Sequence, residues 1–543
     1  MPSIPVVPAP VPPTDIERRN HYHGVAGTLL ARTSTLPHLP RDTWDYWGGY
    51  NVFRPIGPHP ILSAWSDDLV CSIQDALDGL PWHRFYPIRL GIRPIPLDIR
   101  PRDHQDDLVL MVDVVPGAAG FEPAITAALA CRRLLNQAGV SDIEVEIREV
   151  HRQLFVSLDD LQPVLEDGYW SESHDMKEFI RSSLNEEVVN MLRGSVGFEI
   201  GAEEQSAPRA GTMGPFLRLA GRDSELYGLT CRHVAHRPVE NPADMSEPWF
   251  WLPNDQEYNR EKAATPGSHR MIQPARGAGT DLPWPRQSSY DDLERDLAYY
   301  EKFQDFVRQA DEDALEPRPL GQIAFMPPFK VSNRGFMRDW ALIRLDQDIA
   351  GPSFSNSVIP GKVKAENRFV SEVVADTQPR SVMLKGIWSS DKINQRQSVT
   401  VAKRGRTTGF TFGVTNEIKA VVRTVGQGQG QTVGWEWIVI HEKDNKQFPF
   451  SQPGDSGACV FDMEGEVVGI LTAGGVVEKA MRRGKKHTKQ DESLPVDSGA
   501  TESGSVPSGL QDYSSCTDLT FVTPIDKVFE DIEKVTGCKP SLA

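Results

Sequence analysis

QPGDSGACVFD, residues 452–462, is the stretch of this 543-residue chain that says most about its fold. Ser456 stands in it between Asp455 and a glycine, and a second glycine occupies position 454. These glycines let the backbone turn sharply around the serine, because glycine adopts conformations that other residues avoid. A hydroxyl on such a turn is a candidate nucleophile, although glycine-rich turns that contain serine also occur in inert hairpins.

Two further motifs supply what a serine nucleophile needs. A serine hydroxyl is weakly reactive near neutral pH and requires a base within hydrogen-bond reach, and that base requires an orienting carboxylate. YGLTCRHVAH at 227–236 places His233 after a strand-like run, and RDWALIRL at 338–345 places Asp339 before an apolar strand. Each motif alone is weak evidence, because such residues are usually structural. Their combination in the chain order His, Asp, Ser is stronger evidence for a catalytic site, since unrelated folds use these three residues in different orders.

The same glycine-rich turn offers a candidate oxyanion hole. It allows the backbone N–H groups of Gly454 and Ser456 to point at the oxygen that becomes negative when a carbonyl is attacked. Loss of one such donor costs roughly 3–4 kcal/mol of transition-state stabilisation. Gly454 and Ser456 are therefore the predicted donors.

Taken together, the motifs resemble those of trypsin-like serine proteases, of the intracellular, disulfide-free type. TCRHV is similar to the family's histidine motif, DWALIRL to its aspartate strand, and PGDSGACVF with EVVGILTAGG to its nucleophile loop and next hairpin. GRTTGFTFG at 405–413 is similar to a strand of the second barrel, and FVTPIDKVFEDI at 521–532 to the last strand and helix. The resemblance covers about residues 195–540, apart from two insertions.

The resemblance implies a chymotrypsin-like double β-barrel with the three residues in the cleft between the barrels. It implies that Thr472, Ala473 and Gly474 form the strand along which a substrate backbone lies by antiparallel pairing. Phe450, six residues before Ser456, would lie near the base of the primary specificity pocket. No acidic residue stands at that position, so a preference for lysine or arginine is not supported. The expected partner is a protein or peptide substrate, and neither a cofactor nor a metal ion is expected.

Departures from the family pattern bear on regulation. Val234 replaces the cysteine that commonly follows the histidine in secreted members. No activation-cleavage site with a new apolar N-terminus is evident, so Asp455, which pairs with that terminus in precursor-type members, has no obvious partner. The layout is also similar to that of fungal intracellular proteases with an N-terminal prodomain. That similarity implies regulation by residues 1–190, including inhibition of the protease within the same molecule.

The chain as a whole is predicted to be multidomain. A proline-rich flexible tail (1–20) precedes an N-terminal α/β or α+β domain (21–194), in which two strand-like runs flank a helix closed by Gly139. An all-β double-barrel protease domain with a C-terminal helix follows over 195–543. Two insertions interrupt it, one with a predicted helix at about 238–318 and one polar and glycine- and serine-rich at about 478–515.

Net charge, the N-terminal sequence and cysteine spacing argue against several classes of protein. The formal charge of −17 argues against a general nucleic-acid binder, which needs a basic face. The N-terminus lacks the basic and apolar regions of a signal peptide, and no run of 18 apolar residues predicts a membrane helix. The six cysteines are widely spaced without a CxxC pair, which favours free thiols. We therefore expect a cytoplasmic protein, with the nucleus as an alternative, that is not secreted and binds neither nucleic acid nor membrane.

Three functional hypotheses remain open at this stage. The first is an active serine endopeptidase with Ser456, His233 and Asp339 as its catalytic residues. The second is a pseudoprotease that keeps the fold as an interaction scaffold. The third is a latent protease that is inhibited by residues 1–190 or by the insertion at about 238–318.

Overall fold

The structure is a computed structural model that describes residues 10–22, 25–35, 50–93, 106–150, 152–154, 195–202, 209–235, 271–273, 320–327, 331–332, 335–346, 354–358, 381–389, 392, 395–426, 429–441, 449–476 and 517–543. The predicted insertion at about 478–515 lies outside these residues, as does the one at about 238–318 except for one short strand. The helix predicted within that insertion therefore also lies outside them. No helix in the described part of the chain has the length and apolar character needed to cross a membrane.

The helices of the described residues are α1 (Asp15–Asn20), α2 (Ile61–Ala64), α3 (Asp67–Ala76), α4 (Phe121–Gln137), α5 (Arg232–Ala235) and α6 (Ile525–Thr536). The strands up to the predicted aspartate motif are β1 (Thr28–Arg32), β2 (Tyr50–Arg54), β3 (Trp82–Arg93), β4 (Asp107–Val114), β5 (Glu144–Glu149), β6 (Arg152–Leu154), β7 (Glu199–Ala202), β8 (Arg209–Thr212), β9 (Phe216–Leu219), β10 (Tyr227–Thr230), β11 (Met271–Gln273), β12 (Gly321–Phe325) and β13 (Ala341–Leu345). The remaining strands are β14 (Ser357–Val358), β15 (Val382–Met383), β16 (Gly386–Ile387), β17 (Thr400–Gly405), β18 (Gly409–Thr415), β19 (Ala420–Gly426), β20 (Gln429–His441), β21 (Cys459–Asp462), β22 (Glu466–Val476), β23 (Thr517–Pro524) and β24 (Pro540–Leu542).

The N-terminal part has the predicted β–α–β arrangement. β4 and β5 are parallel neighbours, and α4 connects them. The apolar residues of α4 recur on one face, and Ala124, Ala128 and Leu135 from this face are fully buried against the sheet. After α4, Gly139 adopts a φ of +79°, as expected of the glycine that closes a helix.

The first residues of the described chain differ from the prediction. Residues 15–20, expected to end a flexible tail, form α1 with Thr14 as its N-cap. Arg18 of this helix pairs with Glu149 at 2.8 Å, and Glu17 pairs with Arg32 at 2.9 Å. These ion pairs fix α1 against β5 and β1, which a composition-based prediction of a tail does not anticipate.

The N-terminal sheet continues into the C-terminal half of the chain. β3 lies between β4 and β19, where Phe85 pairs with Val421 and Arg84 with Val422. Val421 packs into the same apolar cluster as the residues of α4, so the two parts of the sequence share a core as well as a sheet. The predicted domain boundary at 194/195 adjoins residues 155–194, which lie outside the described residues. The boundary therefore stays a prediction.

The structure is mostly β and contains a closed six-stranded barrel. Its strands follow the order β17–β18–β20–β23–β22–β21, and β21 pairs again with β17. Trp388, Trp437, Phe450 and Leu471 lie in its apolar interior. This confirms a β-barrel in the region predicted to hold the nucleophile.

A second antiparallel sheet carries the other two predicted catalytic residues. It has eight strands in the order β24–β9–β10–β13–β12–β11–β7–β8. No ladder joins its end strands, β24 and β8, in the part of the chain that the structure describes. One apolar cluster fills the space between this sheet, the barrel and α6, with Trp340, Phe461 and Ile532 as members. One of the two predicted barrels is therefore confirmed, whereas the described residues of the other half form an open sheet.

The predicted C-terminal helix is present as α6. Ile525, Val528 and Ile532 lie on its buried face, and Gly537 ends it with a φ of +71°. Pro524 is the N-cap of this helix, and no side chain caps it.

Candidate active site

His233 lies at the junction between β10 and the short helix α5, and its side chain is almost fully buried. Its Nδ1 lies 2.6 Å from Oδ2 of Asp339. Its backbone N–H also donates to Oδ1 of Asp339 at 3.1 Å. A carboxylate at Nδ1 favours the tautomer that carries its proton there, which leaves Nε2 as the basic nitrogen. Nε2 is buried and has no hydrogen-bond partner among the described residues.

Asp339 is held in place by the residues on either side of it. Arg338 donates two hydrogen bonds to Oδ1 of Asp531 on α6, at 2.9 and 2.7 Å. Trp340 donates its indole N–H to Oδ2 of the same carboxylate at 2.9 Å. Because successive side chains of an extended segment point in opposite directions, these bonds direct Asp339 the other way, toward His233.

Ser456 lies in the predicted tight turn, and its side chain is fully buried. Gly454 and Gly457 have φ values of +100° and +91°, a region of backbone conformation that favours glycine. Ser456 Oγ donates to the backbone carbonyl of Thr472 at 3.4 Å. No hydrogen bond between Ser456 Oγ and His233 Nε2 is present in the described structure.

The serine turn nevertheless packs directly against the strand that leads to His233. The backbone N–H of Thr212 donates to the carbonyl of Ser456 at 2.9 Å. A Cβ added to Gly457 would clash with the carbonyl of Thr212 and the hydroxyl of Thr230, and would lie 3.3 Å from the backbone N of Cys231. Only glycine fits this close approach. The structure therefore brings the turn of Ser456 and the end of β10 together.

The two predicted oxyanion donors lie in this buried turn. Neither the N–H of Gly454 nor that of Ser456 has a hydrogen-bond acceptor among the residues described. The carbonyl of Pro453 accepts from Thr407 Oγ1 at 2.6 Å. In a trans peptide the carbonyl and the next N–H point in opposite directions, so the N–H of Gly454 points away from Thr407.

Asp455, which had no predicted partner, is fully buried and paired with Lys403 of β17. Lys403 Nζ lies 3.1 Å from Asp455 Oδ2, and both side chains are fully buried. The backbone N–H groups of Thr407 and Thr408 donate to Oδ1 at 2.8 and 3.2 Å. This lysine was missed in the sequence analysis. A usable signal was present, since Lys403 interrupts the apolar run of VTVAKRG and Asp455 lacked a counter-charge.

The predicted substrate strand lies in β22 and already has a neighbour. Ala473 pairs with Leu154 of β6, Gly474 with Gln153, and Gly475 with Arg152, in antiparallel register. β6 belongs to the segment predicted to regulate the protein. Sequence patterns gave no indication of this strand. Thr472, the third predicted residue, faces the site through its carbonyl and donates its hydroxyl toward Phe521 O and Glu436 Oε1, both at 3.3 Å.

Phe450 is part of the barrel interior, with a side chain that is 1% exposed. Its carbonyl accepts from Thr411 Oγ1 at 2.7 Å, and Lys403 Nζ lies 5.9 Å from the centre of its ring. The adjacent Ser451 is hydrogen-bonded to Thr520 Oγ1 at 2.5 Å. The role of Phe450 in substrate specificity stays a prediction.

Cys231, His233 and Asp339 place a thiol, an imidazole and a carboxylate within 4.8 Å of one another. Burial, and after it the charge of Asp339, raises the pKa of Cys231 well above its ordinary value. A thiol binds metal as a thiolate, so this environment disfavours a metal site. The thiol instead donates to the carbonyl of Leu471 at 3.1 Å.

Of three comparisons with known proteins, only the one with solved structures found matches. No protein-family model and no curated protein sequence matches the chain. Among solved structures, the chain is similar to a glutamic-acid-specific serine protease described as using a histidine triad in substrate binding. This match has a TM-score of 0.28 and 10% identity over 64% of this chain and all of that one. It is also similar to a chymotrypsin of Cellulomonas bogoriensis, with a TM-score of 0.20 and 15% identity over 42% of this chain and 94% of that one. These scores are too low to establish a common fold.

Proposed function

We propose that the chain is a serine endopeptidase that cleaves protein or peptide substrates and is inhibited by its own N-terminal segment. The catalytic residues are Ser456, His233 and Asp339. The observation that carries the proposal is the pair of hydrogen bonds between Asp339 and His233, with the Ser456 turn packed against the strand that leads to His233.

The chemistry follows from this geometry. The proposed mechanism requires a rotation about the side-chain torsion of Ser456 that takes its hydroxyl from the Thr472 carbonyl to Nε2 of His233. Ser456 Oγ then attacks the substrate carbonyl while Nε2 takes the hydroxyl proton. Nε2 returns this proton to the leaving amine, and water hydrolyses the acyl-enzyme. Asp339 stabilises the charged imidazole, and the N–H groups of Gly454 and Ser456 stabilise the oxyanion.

The inhibition follows from the pairing of β6 with β22. An extended substrate would add to the edge of β22 by backbone hydrogen bonds, and β6 occupies this edge at Ala473, Gly474 and Gly475. The register of β22 shifts between Leu471 and Ala473, so that the carbonyl of Thr472 faces Ser456. We expect regular alternation from Thr472 to Gly474, which directs the backbone groups of Gly474 to the same side. Gly474 and Gln153 are therefore expected to exchange backbone hydrogen bonds, and any substrate must displace them.

A fluorophosphonate probe tests this function, because it labels only an activated serine. We expect labelling at Ser456, identified by peptide mass spectrometry, that increases in a Gln153→Pro variant with a weakened β6 ladder. Ser456→Ala should abolish the labelling. Ser355→Ala is the matched control, since Ser355 bonds to Ser357 outside the site and its loss should change nothing. Absence of labelling in both the wild type and Gln153→Pro would contradict the proposal.

One observation favours the alternative of a pseudoprotease scaffold. Ser456 Oγ bonds to a backbone carbonyl while His233 Nε2 lacks a partner among the described residues. A site that stays in this state would bind extended segments on β22 without cleaving them. The scaffold is supported if Gln153→Pro binds a peptide but neither cleaves it nor reacts with the probe.

A further inference from the structure

The turn that holds Gly454 and Ser456 is organised around the carboxylate between them. Oδ2 of Asp455 accepts the backbone N–H of Gln452 at 3.0 Å and the hydroxyl of Thr408 at 2.7 Å. The backbone donors on its other oxygen and the ammonium of Lys403 complete its surroundings. A carboxylate that accepts so many bonds from two segments fixes their relative position.

Lys403 is as completely engaged as its partner. Besides Asp455 Oδ2, its ammonium donates to the carbonyl of Gly409 at 3.2 Å and to the hydroxyl of Thr408. A lysine ammonium has three N–H donors, so each has an acceptor. Burial lowers the pKa of Lys403, whereas the charge and hydrogen bond of Asp455 raise it. The carboxylate therefore works to keep this buried amine protonated.

We propose that Lys403 is the positioning residue of the oxyanion turn. It supplies from within the chain the positive charge that a newly cut N-terminus supplies to the aspartate before the nucleophile in precursor-type relatives of the resembled family. The turn is consequently formed in the uncut chain, and control of the site lies at β6 instead. The catalytic part of this inference rests on the proposed function, whereas the ordering of the turn does not.

Hydrogen exchange tests the ordering without any need for catalysis. In Lys403→Met, peptides covering residues 450–458 should exchange at least about tenfold faster, because Asp455 loses its counter-charge. Lys392→Met is the matched control. Lys392 pairs with Asp462 and Glu466 on two other strands of the barrel, and its loss should leave this peptide unchanged. A folded Lys403→Met protein with unchanged exchange over 450–458 would overturn the inference.

A kinetic measurement in the Gln153→Pro background separates positioning from general damage. Displacement of the oxyanion donors should lower kcat about 100-fold with little change in KM, because the donors act on the transition state. A rise in KM as large as the fall in kcat, or no fall in kcat, would contradict the positioning role. If no variant cleaves peptide but exchange still rises in Lys403→Met, the proposed function fails while the ordering role stands.

A milder variant keeps the test decisive if Lys403→Met does not fold. Thr408→Val retains the ion pair and removes the hydroxyl that bridges Lys403 and Asp455. It should raise exchange over 450–458 by a smaller factor, about two- to fivefold. No increase in that segment would also overturn the inference.

Discussion

Two buried carboxylates of the candidate site, those of Asp455 and Asp339, differ in what they are bonded to. Asp455 accepts hydrogen bonds at both oxygens and has Lys403 as a counter-ion. Asp339 is also bonded at both oxygens, but through His233 it leads to a ring nitrogen without a partner among the residues described. Both carboxylates thus have hydrogen-bond partners, whereas Nε2 of His233, the atom that would move a proton, has none among the described residues.

This contrast separates groups that hold the site from groups that react in it. A buried polar atom without a partner costs free energy, so such atoms are uncommon in folded proteins. The lack of a hydrogen-bond partner at His233 Nε2 among the described residues is compatible with a general base at this atom. Substitutions on each side of this division should therefore have different consequences.

The largest effect is expected at the orienting carboxylate. Asp339→Asn should lower kcat by about 10⁴-fold in the Gln153→Pro background, because an amide favours the wrong imidazole tautomer. Peptide cleavage measures it. Asp142→Asn makes the same change at an exposed aspartate that pairs with His59 far from the site, and it should leave kcat unchanged. A loss of less than tenfold in Asp339→Asn would remove His233 and Asp339 from the proposed mechanism.

Substitution of a residue that holds Asp339 in place should lower the stability of the folded protein. Asp531→Ala leaves the buried guanidinium of Arg338 without its carboxylate, which should cost about 3–5 kcal/mol of unfolding free energy. Chemical denaturation measures this value. Glu530→Ala, the neighbouring and more exposed acidic residue on α6, should cost less than about 1 kcal/mol. Equal values for both variants would show that the Arg338–Asp531 pair does not hold the Asp339 segment.

A smaller effect is expected at the edge of the site. Gln153→Pro removes the N–H expected to face Gly474, so peptide cleavage should rise about five- to tenfold. Leu154→Pro is the matched control, because the N–H of Leu154 faces away from β22 and the residue before a proline remains extended. Equal activation by both variants would contradict the proposed register, and no activation by either would contradict inhibition by β6.

The smallest effect concerns Lys419, which precedes β19 and lacks a hydrogen-bonded carboxylate in the described structure. Burial lowers the pKa of Lys419 to about 8, although Asp526 opposes the shift, and its ammonium lies 4.6 Å from the Trp437 ring. Between pH 8 and the ordinary lysine pKa, the unfolded state binds more protons, so stability rises with pH.

Lys419→Met should therefore stabilise the protein by about 1–2 kcal/mol at pH 7. The difference from the wild type should shrink as the pH approaches 10.5, the ordinary lysine pKa. Denaturation at a series of pH values measures it. A stability difference that does not depend on pH would show that the effect comes from packing and not from the charge.

Local patterns in the sequence predicted the elements well but not their long-range partners. The periodicity around α4, the strand-like runs of β4 and β5, and Gly537 after α6 are local signals, and the structure confirms these elements. The pairing of Lys403 with Asp455 joins residues 52 positions apart, and β3 joins β19 across more than 300 positions. Periodicity shows which face of a strand is buried, but it does not show which strand lies beside it.

The site shows the same division. His233, Asp339 and Ser456 were found because residue order and flanking glycines are visible in the sequence. β6 was not found, because its three residues are too few to show a strand period. Their significance depends on β22, and the sequence separates the two strands by more than 300 residues.

Under the proposed function, the covalent link between β6 and the rest of its sheet determines how tightly a substrate must bind to displace β6 from β22. A tethered strand faces its binding edge at an effective concentration in the millimolar range, whatever the concentration of the protein. Dilution therefore cannot release it, and a peptide present at micromolar concentration must bind β22 about a thousandfold better than β6 does. Such a protease would not cleave abundant substrates that bind weakly, and it would cleave the few that bind tightly.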